Sequence, residues 1–232
     1  METGRGPVIT LDGPASSGKS SVGAAVAAAL GLRFLDTGLL YRTLTWLALE
    51  RDLDPEDGPA IAPLADAIDL GADEAGRLTR VVVGGRDVSG VIRTPRVDRA
   101  VSAVSRQPEV RAALLGRQRA LAAAGGIVVA GRDIGSVVLP DADVKVWLDA
   151  SAEERSARRA RERGIDPASP EGVAILVDLR RRDAADGSRT VSPSRAADDA
   201  VHVHTDGNTF EETIAAVLEV VRRRDARNAS DR

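Results

Sequence analysis

The chain contains no cysteine, and this absence excludes disulfides, thiolate metal sites and cysteine nucleophiles together. It has only two histidines, a number that argues against a catalytic zinc site built from histidine alone. Aromatic residues make up 2% of the sequence, so stacking platforms for single-stranded nucleic acid have little to be built from.

A strong net charge and a long apolar run are also missing. The formal net charge is −3, so no overall basic field indicates a nucleic-acid partner. The longest apolar stretch, Val22 to Leu30, is rich in alanine and far too short to span a bilayer. The polar N-terminus, Met1 to Val8, lacks the apolar region of a signal peptide. We therefore expect a cytoplasmic protein with no membrane partner.

What is present is an alternation of short apolar runs with segments of helical periodicity. This alternation is typical of an α/β fold with a parallel central sheet covered by helices on both faces, which makes three layers. The length, 232 residues, suits one such domain with an elaboration. The runs predict strands at 8–11, 32–35, 127–130, 144–148 and 201–205, and helices over 20–30, 38–49, 108–124, 151–164, from 169 and from 209.

Residues 52–105 interrupt this alternation. The segment begins with acidic residues, prolines and glycines around a weak helix predicted at 61–68. A hairpin is predicted at 78–88 around Gly84-Gly85, and Thr94-Pro95 should start a helix. We expect a single domain with its core at about 6–51 and 106–225 and an inserted subdomain at about 52–105.

The stretch Gly13-Pro14-Ala15-Ser16-Ser17-Gly18-Lys19-Ser20 matches the phosphate-binding pattern G-x-x-x-x-G-K-[ST] without a departure. Its glycines allow successive N–H groups to turn around an anion, and Lys19 adds a mobile positive charge for the β- and γ-phosphates. The Ser20 hydroxyl can ligate Mg²⁺. The loop therefore predicts a purine nucleoside triphosphate with Mg²⁺. It does not by itself separate ATP from GTP, although no guanine-reading Asn/Thr-Lys-x-Asp motif is visible.

Arginines and carboxylates gather in three further places. A kinase whose acceptor already carries a phosphate must hold two anions against each other, and several arginines are the expected means. Two of the groups follow predicted strands, where ligands bind in open α/β sheets. For any single arginine a solvated helix face stays the alternative, above all for Arg158, Arg159 and Arg161. The groups are Asp36-Thr37-Gly38 with Tyr41-Arg42, then Gly131-Arg132-Asp133, then Arg182, Asp183, Asp186 and Arg189 in and after a helix expected to end near Asp183.

On these residues the chain resembles the bacterial cytidylate kinase family over nearly its whole length. The insertion after Asp52 resembles that family's enlarged monophosphate-binding region. Segments 36–42 and 87–94 are specific to the family, whereas the phosphate-binding loop is shared widely. The matching segments are the loop itself, DTGLLYR at 36–42, DVSGVIRT at 87–94, GRDIGSVVLPDA at 131–142 and VKVWLDAS at 144–151.

The resemblance implies a P-loop nucleoside monophosphate kinase that transfers the γ-phosphate of ATP to CMP or dCMP, with Mg²⁺. It implies Lys19, Arg132, Arg182 and Arg189 as catalytic residues, and Ser20 as the metal ligand. Ser21 and Arg158 would join the loop residues 13–20 in binding the donor. On the acceptor side, the phosphate would be held by Arg42, Arg132 and Arg189. The sugar would be surrounded by Tyr41, Arg182 and Asp186. The base would be faced by Ser102, Arg111 and Asp133, and Thr37 would also bind the acceptor.

The hydrogen-bonding groups of cytosine support the assignment of Ser102, Arg111 and Asp133 to the base. Cytosine offers an N4 amino donor with N3 and O2 acceptors. Asp133 can accept from the amino group, while Arg111 and Ser102 can donate. Uracil would place a carbonyl against the carboxylate, which should disfavour UMP by a few kcal/mol.

A short lid at about 182–195 is expected to close over the site and exclude water during in-line transfer. The chain departs from some relatives at Ala130, where they carry an acid, and at Ser194, where they often carry leucine. Neither position is assigned to chemistry.

Two other functions remain open at this point. A kinase for another small acceptor, such as shikimate or gluconate, is one, although those chains are generally shorter and lack the hairpin insertion. A non-catalytic nucleotide switch or RNA-associated module is the other, and it should have few arginines on the acceptor side. We expect a monomer, since no extended apolar surface stripe is evident in the sequence.

Overall fold

The structure, a computed structural model, describes residues 6–230. Its centre is a sheet with the strand order β3-β4-β2-β6-β1-β7-β8, and β5 pairs with β4 beside this path. The strands are β1 Val8–Asp12, β2 Arg33–Asp36, β3 Ile68–Ala72, β4 Arg77–Val83, β5 Arg86–Asp87, β6 Ile127–Gly131, β7 Val144–Asp149 and β8 Val201–His204. Pairing is parallel from β4 through β8 and antiparallel only for β3 and β5 against β4.

Helices surround this sheet and the inserted segment. They are α1 Lys19–Leu30, α2 Gly38–Glu50, α3 Gly58–Ile61, α4 Pro95–Arg106, α5 Pro108–Ala122, α6 Ala152–Glu162, α7 Pro170–Gly187 and α8 Phe210–Ser230. Short 3₁₀ turns lie at Ala62–Ala67 and Val91–Arg93, and a π-helical turn lies at Ile134–Val138. Among the residues described, no helix is both long and apolar enough to cross a membrane.

The central strands bury both faces, as their continuous apolar runs predict. On one face Val128 and Val146 pack with α1 and α8 through Val26 and Val217. On the other face, side chains alternating with these in β6 pack with α5 and the π-helical turn. This arrangement confirms the predicted three-layer α/β fold.

The inserted segment shares a hydrophobic core with α2 and α5. Buried side chains from α2, α4, α5, β3 and β4 form one cluster, with Leu44, Ile68, Val81 and Val104 fully enclosed. Thr94 caps α4 by accepting a hydrogen bond from Val97 N–H, as its sequence predicts. The predicted hairpin forms between β4 and β5.

The structure corrects two predictions. The predicted weak helix at 61–68 is a helical turn and a 3₁₀ turn that stop before Ile68, where β3 begins. The sequence of β3, IDLGA, contains aspartate and glycine and does not itself favour a strand. The strand forms because β4 pairs with it. Helix α7 continues to Gly187 rather than ending near Asp183, since Ala184 and Ala185 favour helix.

The register of the central strands decides where the functional segments meet. Asp12, the last residue of β1, lies opposite Gly131 of β6, and Asp36 of β2 lies opposite Ala130. The loops that follow β1, β2 and β6 therefore leave the sheet side by side. The phosphate-binding loop, Asp36-Thr37 and Arg132-Asp133 share one edge of the sheet.

Candidate active site

A cavity of about 470 Å³ opens at this edge of the sheet. The phosphate-binding loop forms one part of its wall, and residues of α2, α4, α5, α6 and α7, together with the ends of β2 and β6, form most of the rest. The predicted site residues that line it are Ala15, Ser16, Gly18, Lys19, Ser20, Ser21, Thr37, Tyr41, Arg42, Ser102, Arg111, Arg132, Asp133, Arg182, Asp186 and Arg189. The fold thus joins the donor and acceptor halves of the prediction in one space.

The phosphate-binding loop has the backbone that an anion cradle requires. Gly13 passes so close to β7 that a Cβ there would stand 2.1 Å from the carbonyl oxygen of Leu148. Ser16 and Gly18 both have positive φ values, 57° and 86°, which turns backbone N–H groups inward. The backbone of the loop therefore suits the binding of a phosphate.

Lys19 is held against the phosphate-binding loop. Its Nζ donates to the carbonyl oxygen of Pro14 at 2.7 Å, and the residue is 8% exposed. Burial, followed by the positive charge of Arg132, lowers the pKa of Lys19 well below its ordinary value. A phosphate in the loop would supply the negative charge that the ammonium lacks.

The residues around Ser20 fit a magnesium ion bound together with a nucleotide. The Ser20 hydroxyl donates to Oδ2 of Asp36 at 2.9 Å. Both groups offer oxygen, which is the ligand that Mg²⁺ prefers. The described residues contain no cluster of three or more acidic, histidine or cysteine side chains that could hold a metal unaided. The other ligands would have to be phosphate oxygens and water, as is usual for Mg²⁺ in kinases.

Two of the arginines in the cavity wall, Arg132 and Arg189, pair with the carboxylate of Asp186. Nε of Arg132 donates to Oδ2 of Asp186 at 2.8 Å, and its Nη1 donates to the carbonyl oxygen of Gly13 at 3.3 Å. Nε of Arg189 donates to the carbonyl oxygen of Asp186 at 3.0 Å. Burial would raise the pKa of Asp186, but the charges of Arg132 and Arg189 outweigh it and lower that pKa.

Some of these arginine donors make no hydrogen bond within the described structure, although Nη2 of Arg189 lies 3.4 Å from Oδ1 of Asp186 in an ion pair. Nε of Arg182 and Nη2 of Arg189 are buried without a hydrogen bond to any residue the structure describes. Burial lowers the pKa of both guanidinium groups from its ordinary value. A buried cationic donor without an acceptor is costly, and an anionic ligand in the cavity would remove that cost.

The remaining wall carries a buried ion pair. Nη2 of Arg111 donates to Oδ2 of Asp133, and both side chains are 6% exposed. The Arg111 guanidinium also lies over the ring of Tyr41, 5.4 Å from its centroid. Oδ1 of Asp133 accepts no hydrogen bond from residues 6–230, so one carboxylate oxygen remains for a ligand.

Asp12, the last residue of β1, is hydrogen-bonded to the turn that follows β6. Its Oδ1 accepts from the N–H of Ile134 at 2.9 Å and its Oδ2 from the N–H of Gly135 at 2.7 Å, just after Arg132 and Asp133. Burial is the main cause that raises the pKa of Asp12 to about 6, and the two N–H groups lower it only in part. The carboxylate fixes the turn after β6 against the start of the phosphate-binding loop.

Comparison with known families agrees with this geometry. The family described as cytidylate kinase matches residues 9–223. The chain belongs to the cytidylate kinase family. The cytidylate kinase of Mycolicibacterium paratuberculosis is 47% identical over 218 residues, which cover 94% of this chain and 96% of that protein. The cytidylate kinase of Exiguobacterium sibiricum is 45% identical over 215 residues, covering 91% and 95%.

Some relatives are longer. The bifunctional pantoate ligase/cytidylate kinase of Synechococcus sp. strain CC9902 is 43% identical over 229 residues, covering 97% of this chain but 47% of that protein. The chain therefore spans about half the length of that relative. Among solved structures, a shikimate kinase from Acinetobacter baumannii in complex with shikimate covers 94% of each chain at 17% identity with a TM-score of 0.46.

A few of the predicted site residues lie outside the cavity wall. Arg158 is turned away from the cavity: it donates to Glu154 Oε1 at 2.9 Å and to the hydroxyl and carbonyl oxygens of Thr205. Gly13, Pro14 and Ser17 shape the loop without lining the space. The assignment of Arg158 to the donor came from the resemblance to the family, which does not indicate the direction of a side chain.

Several lining residues were not predicted. Asp36 belongs to a group that the sequence analysis singles out after a predicted strand, but no role is predicted for it. Arg93 lies within the family-specific segment 87–94. The others carry no chemical signal in the sequence that separates them from ordinary helix or strand residues. The lining residues without a predicted role are Asp36, Gly38, Arg93, Val101, Ser105, Gly131, Arg159 and Glu162.

Proposed function

We propose that this member of the cytidylate kinase family transfers the γ-phosphate of ATP to CMP or dCMP and releases ADP with CDP or dCDP. One observation carries the proposal. A single cavity is lined by the phosphate-binding loop, by the buried Arg111–Asp133 pair and by arginines with donors that make no hydrogen bond in the described structure. Transfer to a monophosphate acceptor needs such a cradle, such cations and a base-facing pair in one site.

The transfer itself requires positioning and positive charge more than a covalent catalyst. Lys19 would leave the carbonyl oxygen of Pro14 and contact the β- and γ-phosphates. Arg132 and Arg189 would lie between the two nucleotides and stabilise charge as it builds on the transferred group. Bound Mg²⁺ would supply further charge on the phosphate oxygens, with Ser20 and Asp36 beside it.

The base-facing pair supports cytosine. With Arg111 bound to Oδ2 of Asp133, the free Oδ1 can accept from the N4 amino group of cytosine. Ser102 lines the same cavity and can donate to the other edge of the base. Uracil would present a carbonyl oxygen to the carboxylate, and the buried pair would repel it.

The proposed contacts act chiefly on the phosphate and the base, and CMP and dCMP share both. We therefore include dCMP as an acceptor. Arg182, Asp186 and Arg189 belong to α7 and the residues just after it, so closure of the proposed lid at 182–195 would bring them onto the acceptor and exclude water. Exclusion of water would prevent wasteful hydrolysis of ATP.

An acceptor panel tests the proposal. Release of ADP is followed with Mg²⁺ and ATP in the presence of CMP, dCMP, UMP, AMP or shikimate, and again after chelation with EDTA. We expect turnover with CMP and dCMP, at least 100-fold weaker turnover with UMP, and loss of activity after chelation. Turnover with shikimate, or ATP hydrolysis that ignores every acceptor, would reject the proposal in favour of another small-molecule kinase or a nucleotide switch.

A further inference from the structure

Asp98 is an acidic residue in the first turn of α4, and it holds one of the cavity arginines. Nη2 of Arg42 donates to Oδ1 of Asp98 at 2.7 Å, and the two side chains are 19% and 20% exposed. The second terminal nitrogen of Arg42, Nη1, reaches the carbonyl oxygen of Ile92 at a longer 3.4 Å. Arg42 belongs to α2, so this ion pair joins two elements of different segments.

The other oxygen of Asp98 faces α6. Oδ2 lies 3.7 Å from Nη2 of Arg159 and 3.6 Å from Nη2 of Arg163. Burial would raise the pKa of Asp98, but the hydrogen bond and charge of Arg42, with the charge of Arg159, lower it overall. Asp98 is thus an ionised group that faces arginines from α2 and α6.

Asp98 lies behind the arginines that it holds. Arg42 and Arg159 line the cavity, whereas Asp98 does not appear in the cavity wall formed by residues 6–230. A guanidinium has five N–H donors in a fixed planar fork. Asp98 accepts from Nη2 and the carbonyl oxygen of Ile92 accepts from Nη1, so three donors of Arg42, a residue of the cavity wall, make no hydrogen bond with residues 6–230 and remain for a ligand.

We propose that Asp98 is a positioning residue that sets the guanidinium of Arg42 for the phosphate of the acceptor nucleotide. The inference rests on the proposed function, because it requires Arg42 to bind that phosphate. An arginine with a carboxylate behind it loses less rotamer freedom when the phosphate arrives, so acceptor affinity increases. The donor nucleotide binds to the loop at the other side of the cavity, and Asp98 has no contact with that loop.

The test compares Asp98→Asn and Asp98→Ala with the wild type. We expect the KM for CMP at saturating ATP to rise about tenfold, while the KM for ATP at saturating CMP changes less than twofold. Asp98→Glu keeps the charge and should restore the KM for CMP to within about threefold of wild type. Thermal unfolding of each variant reports whether the fold is intact.

A matched control is Glu50→Gln. Glu50 pairs with Arg96, also on α4, at 3.6 Å, and neither residue lines the cavity. Loss of this exposed pair should leave both KM values unchanged. The Glu50→Gln control distinguishes the general effect of losing an ion pair on α4 from the specific effect of losing the pair that holds Arg42.

A double-mutant cycle tests the route of the effect. Binding of CMP is measured by titration calorimetry for Asp98→Asn, Arg42→Ala and the double variant. If Asp98 acts through Arg42, its substitution should weaken CMP binding less than twofold in the Arg42→Ala background. Full additivity would overturn the inference.

The remaining possible results also test the positioning role of Asp98. An unchanged KM for CMP, an equal rise in both KM values, or tighter CMP binding after Asp98→Asn would each overturn the positioning role. The last result would mean that Asp98 competes with the phosphate for Arg42. Absence of CMP turnover in the wild type would instead reject the proposed function itself, so the two failures are distinguishable.

Discussion

Arg155 and Asp183 hold the backbone of Ala15 between them. Nη1 of Arg155 lies 2.7 Å from Oδ2 of Asp183 and donates to the carbonyl oxygen of Ala15 at 2.9 Å. Oδ1 of Asp183 accepts from the N–H of Ala15 at 3.3 Å. One ion pair between α6 and α7 therefore fixes a peptide of the phosphate-binding loop.

Asp183→Asn should weaken the binding of ATP. The amide can still accept from Ala15, but the charge that pairs with the buried Arg155 is lost and the loop becomes less rigid. We expect the KM for ATP to rise about tenfold and the KM for CMP to change less than twofold, measured by ADP release. Asp178→Asn is the control, because Asp178 pairs with Arg181 on the exposed face of the same helix at 2.7 Å. A KM for ATP that stays at the wild-type value would contradict this prediction.

Arg189→Ala should affect the chemical step. Arg189 is 9% exposed, and its buried Nη2 makes no hydrogen bond in the described structure, so a ligand is expected to complete its bonding. We expect kcat to fall on the order of 10³-fold with little change in ATP affinity, by analogy with other charge-stabilising donors. Arg195→Ala, an exposed arginine outside the cavity wall, serves as the control. Normal turnover in Arg189→Ala would remove Arg189 from the mechanism.

Asp133→Asn should relax the choice of base. The amide oxygen can keep the bond to Arg111, and the amide nitrogen can then donate to the O4 carbonyl of uracil. We expect the ratio of kcat/KM for CMP to that for UMP to fall about 100-fold. The comparison variant is Asp141→Asn, at an exposed position outside the cavity. If both variants keep the wild-type ratio, Asp133 does not read the base.

Asp12 should make folding stability depend on pH. Its pKa is about 6 in the folded protein, raised chiefly by burial from an ordinary 3.8. A raised pKa adds stability below pH 4, and this contribution is lost as pH rises through 6. The free energy of unfolding of wild type, minus that of Asp12→Asn, should therefore decrease by roughly 2 kcal/mol between pH 4 and pH 7. Urea unfolding at several pH values measures it, and a constant difference would show that Asp12 does not titrate in this range.

The sequence alone determined the elements that local patterns encode. Apolar runs fixed the central strands, Thr94-Pro95 marked the start of α4, and the phosphate-binding loop lay between β1 and α1 as its motif requires. Parallel strands place their carboxyl ends at one edge, so the meeting of Lys19 with Arg132 also followed from the order of elements. Resemblance to a family supplied the acceptor before any geometry was known.

Only the tertiary structure decided which side chains face each other. Strand β3 exists through its pairing with β4, and Arg158 turns to Thr205 rather than to the cavity. The pair of Arg42 and Asp98 joins residues 56 positions apart, which no local pattern records. The physical reason is range: backbone preference acts within a turn or a strand, whereas ion pairs and cavity walls depend on packing between distant elements.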